Sequence, residues 1–318
     1  MNLIVSAIGQ GFLWGLLGLG LFLSFRIMNT TDMTVEGTFP LGAAVSVSLI
    51  VQGTNPFLAT LAAFVAGALA GLVTALLITK GKIPSLLAGI LTMTGIYSID
   101  LMVMGKSNVS LLGKKTIYSL AFLQKLPQYF DSVVAGTILM VLVTCDLIWF
   151  LSTDFGQAFI ATGDNPQMAK SQGISPQQMT VAGLMISNGL VGLCGAVVAQ
   201  SNGYADVNMG MGTRTIVIAL ASIIISEVVF RNLGLASRLF AVSLGSIIYR
   251  LLLLAVLQVG LSSNNLNLIS SLVLAACMML PQVEEKLRLK QTFMKGFKHD
   301  QSKFTGTDRF GSGRRPRY

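Results

Sequence analysis

An all-α, polytopic transmembrane helical bundle is the fold class this sequence predicts, and three observations predict it. The 318-residue chain has a mean hydropathy of +0.72 and only 11% charged residues. Apolar runs of about 20 residues, the length needed to cross a bilayer, recur along nearly its whole length. Those runs are too long for barrel strands, and backbone groups in lipid must be satisfied within the protein, so each run reads as a helix.

In chain order, about nine apolar segments are expected: 3–25, 38–51, 56–79, 84–104, 132–152, 178–200, 214–230, 238–259 and 266–281. The first is long enough to remain as a span and lacks a basic lead-in, so no cleavable signal is expected. The second is irregular. Thr30 to Pro40 carries Asp32 and Glu36, and its helix is expected to break at Gly37 and Pro40. The stretch from there to Val51 is too short to cross at 1.5 Å per residue unless 26–37 also enters the membrane. Such broken spans in transporters lie next to the solute. A loop followed by a short tilted helix accounts for the same residues.

Small residues recur where helices could approach closely: Gly67 with Gly71, and Gly189, Gly192 and Gly195. Between the fourth and fifth segments the loop 105–131 is polar enough to be partly structured. The stretch 153–177 is a polar island between apolar segments, and it carries helix punctuation. Asn165 is a good N-cap, Pro166 suits the first helical position and Gly173 suits a left-handed stop, which brackets a helix from Pro166 to Gln172. Ser175, Pro176 and Gln178 read as a second N-cap, first-turn proline and capping-box partner. An ordinary ordered loop could carry the same caps. A short capped helix between spans is also built to be touched from water.

The net charge is +9, but ten of the 22 basic residues lie between Lys286 and Arg317. That distribution argues against nucleic-acid binding. It divides the chain into a membrane domain, 1–285, and a basic, largely disordered tail, 286–318, whose first lysines would meet lipid headgroups. Basic residues favour the cytoplasm, so the tail is expected inside. An odd number of spans then leaves the N-terminus outside, the 105–131 loop external and the 153–177 island cytoplasmic. Without the tail, six basic residues fall inside and five outside, so the orientation rests on the tail.

No catalytic constellation is present. The chain has one histidine, His299, which excludes a histidine-based triad or metal pair. Gly105-Lys106-Ser107 resembles the end of a phosphate loop, but Asp100 stands where its first glycine belongs. No nucleotide, metal or other cofactor is therefore expected on this chain. Cys145, Cys194 and Cys277 all lie in apolar segments and read as packing residues. Among intramembrane charges, Arg250 sits near the middle of the eighth segment, and Asp100, Asp146 and Glu227 lie nearer span ends. Arg250 needs a partner: Asp100 at similar depth, a group across a subunit interface, or an anionic group of a solute. Thr92, Thr94, Tyr97 and Ser98 form a polar stripe on the fourth segment.

From Phe155 through Ile174 the sequence resembles the membrane permeases of ABC importers of the branched-chain amino-acid/ribose type. Ser187 to Gln200, Asn208 to Gly212 and Asp32 to Val45 are similar to that family as well, the last in the form of its tryptophan/tyrosine-type subgroup. The resemblance covers roughly 5–285. It implies a non-enzymatic transport subunit in a prokaryotic cell membrane, moving a small solute, an amino acid, with aromatic ones among the candidates. It implies two separate ATPase subunits that carry ATP and Mg, an extracytoplasmic solute-binding protein touching 105–131 and 201–213, and a second permease copy. The island would be the coupling helix, with Asp164, Asn165, Pro166, Met168, Lys170, Gln172 and Gly173 meeting the ATPase. Asp32, Glu36, Thr38, Tyr97 and Arg250 are the candidates for the solute pathway. A self-sufficient, ion-coupled secondary transporter or channel is the alternative, and would recruit the intramembrane acids.

Overall fold

The computed structural model describes residues 2–119, 130–207, 215–230 and 233–258, with a few positions between 271 and 279. The chain divides into two compact units, Met1–Leu274 and Ala275–Tyr318. The first is a helical bundle. Of the second, only Ala275, Ala276 and Met279 are described, each helical and exposed. The expected ninth segment lies mostly outside the described residues, as do the basic tail, Cys277 and His299.

Ten α-helices make up the described bundle: α1 (Asn2–Leu21), α2 (Val35–Val51), α3 (Pro56–Thr79), α4 (Ser85–Met104), α5 (Phe130–Ser152), α6 (Asp154–Asp164), α7 (Pro166–Ser171), α8 (Pro176–Asn202), α9 (Thr215–Val229) and α10 (Leu235–Gln258). A π-helical turn, Phe22–Ile27, continues α1. Six helical stretches are long and apolar enough to cross a membrane, and α2 and α9 are shorter apolar helices. Eight of the nine expected segments thus have a helix, and six have one of spanning length. An antiparallel ladder of two strands, β1 (Asn108–Ser110) and β2 (Tyr204–Asp206), is added to the otherwise helical chain. It pairs Asn108 with Asp206 and Ser110 with Tyr204, so the loops after α4 and α8 meet at one end of the bundle. The other end carries α6 and α7.

α8 is the axis. It packs along α3, α2 and α1, and its small residues set the distance. A β-carbon on Gly67 would collide with the Asn188 carbonyl oxygen, on Gly71 with that of Leu184, on Gly42 with that of Gly192, and on Gly195 with that of Phe39. Backbone therefore lies directly on backbone, the contact that small residues permit in spans.

The second segment breaks elsewhere than expected. α2 runs unbroken through Gly37 and Pro40. Pro40 cannot donate to the Glu36 carbonyl, yet dense burial between α3, α4 and α8 holds the helix, and prolines are tolerated in spans on such terms. The break lies instead at 28–34. There Asn29 adopts φ +53°, and the amide and hydroxyl of Thr30 both donate to the Ser24 carbonyl (2.9 and 3.0 Å).

Candidate functional site

Two places in the bundle have the makings of a site: the interior where the 28–34 break meets α8 and α9, and the exposed elbow made by α6 and α7.

At the break, Asp32 is 3% exposed. Its Oδ1 accepts from the Thr34 amide (2.9 Å) and its Oδ2 from Nδ2 of Asn188 (2.6 Å). Asn188, near the midpoint of α8, also donates to the Leu184 carbonyl (3.1 Å), and its Oδ1 faces the Thr38 hydroxyl (2.8 Å). Thr34 and Thr74 join hydroxyls at 2.7 Å. Every polar atom of Asn188 is therefore engaged, as buried polar groups require. The network ties the break to α2, α3 and α8 together.

Glu36, in the first turn of α2, is half-buried and accepts from the Ile216 amide in α9 (2.9 Å). A carboxylate at a helix N-terminus meets unpaired amides and the positive end of the helix dipole. α2 has 17 residues and α9 has 15. At 1.5 Å per residue each spans about 22–26 Å, short of the roughly 30 Å hydrocarbon thickness. Glu36 bridges the first turn of α2 and the first described turn of α9.

Tyr97 lies on the exposed side of α4. Arg250 is not brought to Asp100. Its guanidinium sits 4.6 Å from the centre of the Trp14 ring, and Trp14 stacks on Phe39 at 5.1 Å. The cation thus rests on an aromatic face, an alternative to an acid in a dry site. Asp100 is 1% exposed, and neither carboxylate oxygen has a hydrogen-bond partner. Glu227 faces Arg26, Oε1 to Nε at 2.6 Å, although the angle falls short of a hydrogen bond. This pair joins the π-turn to the end of α9, beside a cavity of about 190 Å³ that Arg238 also lines.

At the elbow, Thr153 caps α6 by accepting from the Gly156 amide (3.2 Å). Thr153 followed by Phe155 and Phe159 at four-residue spacing is the local signal for α6, a helix not among the expected elements. Asn165 Oδ1 accepts from the amides of Gln167 and Met168 (3.1 and 3.0 Å), with Pro166 at the first position of α7. Gly173 has φ +82°, the left-handed region that favours glycine. Ser175 stands at the N-cap of α8, but its side chain makes no capping bond there.

Asp164, Asn165, Pro166, Met168, Lys170, Gln172 and Gly173 are all exposed, Met168 to 63%, while Ala169 is buried. Inward, α6 is packed tightly. A β-carbon on Gly163 would collide with the Ile27 carbonyl oxygen, and one on Gly183 of α8 with the Phe159 ring. The exposed elbow therefore leans on the residues that begin the 28–34 break.

The sequence reading missed Asn188, Thr34 and Thr74. Polar side chains inside an apolar segment were the available signal for Asn188. Among the described residues no group of three His, Cys, Asp or Glu side chains is placed to hold a metal.

Comparison with known proteins covers these same helices. A family model, branched-chain amino acid transport system / permease component, matches residues 3–280, which takes in α2 through α10. A tyrosine transport system permease protein of Clostridioides difficile is 36% identical over 276 residues, spanning 87% of this chain and 90% of that protein. An uncharacterized protein of Rickettsia prowazekii is 33% identical over 278 residues, 86% of this chain and 96% of that one. A D-allose transport system permease protein of Escherichia coli is 26% identical over 275 residues, 84% and 76% respectively. No solved structure matches the chain.

Proposed function

This chain belongs to the permease family of branched-chain amino acid transport systems, multi-pass membrane subunits of ABC transporters, and we propose that it is the importer subunit through which an amino acid, aromatic in the first instance, crosses the membrane. Its similarity to a tyrosine transport permease along nearly the full length of both supports the substrate class.

The observation that carries the proposal is the elbow. α7 is capped at both ends, exposed on nearly every residue, and backed by α6 against Ile27. Two ATPase subunits, carrying ATP and Mg, dock on α7 from the cytoplasm, which sets the N-terminus outside and the basic tail inside. Their closure presses α6 on Ile27 and Met28, and so on the break locked by Asp32 and Asn188. ATP then biases a two-state equilibrium of the bundle. A homodimer of permeases forms the pathway, with Glu36, Tyr97 and Arg250 toward the solute and Asp32 and Thr38 positioning the break. A solute-binding protein docks on the end that carries the ladder, touching the loops 105–131 and 201–213, whose described parts pair through β1 and β2.

The test is uptake together with copurification of the ATPase from cells expressing the neighbouring transport genes. Met168→Asp with Lys170→Glu is expected to abolish ATP-driven uptake by removing the ATPase, while the permease remains folded and monodisperse. Uptake that persists in this variant would overturn the coupling role. Asp100, with both oxygens unpaired, is the one observation that favours a second reading, an ion-coupled carrier. That reading requires uptake that survives ATP depletion and collapses with the ion gradient.

A further inference from the structure

We propose that the permease holds one phospholipid acyl chain in a built groove between α3, α5 and α8, in the leaflet on the side of the β-ladder. The groove has a volume of about 450 Å³. A water-sized group takes about 30 Å³ of liquid volume, so the space holds about fifteen such groups. A methylene is of similar size, and the capacity is that of a single acyl chain. The walls are Leu61, Ile138, Leu139, Leu142 and Leu193, with Ile117 across the top. The groove opens sideways, since Leu61, Ile138 and Leu142 are also exposed on the outer surface of the bundle. From Ala135 to Leu142 it runs about 10 Å along α5, within one leaflet of a hydrocarbon core about 30 Å thick.

Two observations distinguish this groove from an ordinary lipid-facing furrow. First, it is pinned from behind by one residue. Gln200 donates from Nε2 to Thr60 and Ser46 (2.8 and 3.0 Å), and its Oε1 accepts from the Ile117 amide (3.1 Å). Tyr118 adds a bond to the Val197 carbonyl (3.4 Å). These bonds hold the loop over the groove and occupy Thr60, whose hydroxyl also donates to Pro56 (2.8 Å). What is left to a ligand is hydrocarbon. Second, Lys114 and Lys115 lie exposed just before Ile117, in the loop that the Gln200 bond holds over the groove. Lys114 is tied to the Val51 carbonyl (3.1 Å), and Lys115 supplies a cation at headgroup level for the phosphate of the same lipid.

The proposal rests on the membrane character of the chain and not on its ATPase or solute, so it stands or falls separately from the importer reading. The full-length permease, reconstituted with a phosphatidylglycerol carrying a photoactivatable group on its acyl chain, is irradiated and its labelled peptides are mapped. Label is expected on residues 57–61 and 135–142. In Ala135→Phe and, separately, Leu139→Trp, both of which fill the groove, label is expected to drop about tenfold, equivalent to about 1.4 kcal/mol. Lys115→Glu is expected to lower it without altering the peptides labelled. Label spread evenly along the lipid-facing sides of α3 and α5, unchanged in both filling variants, would overturn the site. A disulfide between two copies through Ile138→Cys, in a Cys145→Ala background, would overturn it too, because a second permease would then cover the groove.

Discussion

α8 and α4 are both long and apolar enough to cross a membrane, but most of α8 is buried inside the bundle and most of α4 is not. α8 brings glycines against the backbones of α2 and α3, and each of Ser187, Asn188 and Gln200 is hydrogen-bonded to another helix or loop. α4 buries a narrow stripe, Ala88, Thr92, Ile96, Asp100 and Met104, at four-residue spacing, and Asp100 lies in it without a partner. Hydropathy says that a helix enters lipid. It does not say whether the helix is a bundle axis or a flank. That is decided by what small and polar side chains find opposite them, because lipid tails offer an apolar helix much the same surroundings as another helix does.

The largest effect expected from this contrast is on packing. Gly192→Leu would drive a side chain into the Ala63 carbonyl and the Gly67 backbone, whereas a β-carbon on Gly95 of α4 meets nothing within 4 Å. Overpacking a tight contact costs about 1–3 kcal/mol and sometimes more. The yield of monodisperse, detergent-extracted protein is expected to collapse for Gly192→Leu and to stay near wild type for Gly95→Leu. Equal losses would mean that α4 is packed as tightly as α8.

A smaller difference is expected for buried polar groups. Asn188→Leu leaves Oδ2 of Asp32 without its donor, at a cost of about 2–3 kcal/mol. Asp100→Leu removes a carboxylate that is bonded to nothing, so thermal unfolding is expected at the same or a higher temperature. A marked loss of stability in Asp100→Leu would show that Asp100 has a partner in the assembled transporter.

The smallest effect concerns the bond that joins α2 to the far end of α4, Ser48 Oγ to the Val103 carbonyl (3.1 Å). Exposed as it is, its loss in Ser48→Ala is expected to shift stability by no more than about 0.5 kcal/mol. A larger shift in the melting temperature would promote α4 from flank to framework.

The elements that the sequence announced are those whose signals are local. Apolar length marked the spans. At the elbow, Asn165, Pro166 and Gly173 announced α7 because a cap is chemistry between a side chain and amides two or three residues away. The glycines of α3 and α8 announced close approach, though not to which helix. Where the signal was local but misread, as at Gly37 and Pro40, the burial of α2 overrode the breaking tendency of those residues and the chain broke at 28–34 instead.

Composition and local punctuation by themselves determined a helical membrane bundle with a polar, capped elbow between two of its spans. Tertiary structure alone decided that Asp32 is answered by Asn188, 156 residues away, that Glu36 caps α9, that Arg250 rests on Trp14 while Asp100 goes unpaired, and that two distant loops form a ladder. The physical reason is shared: which partner a charge or a backbone amide meets, or whether it meets one, depends on what the packing brings near it, and no spacing along the chain encodes that neighbour.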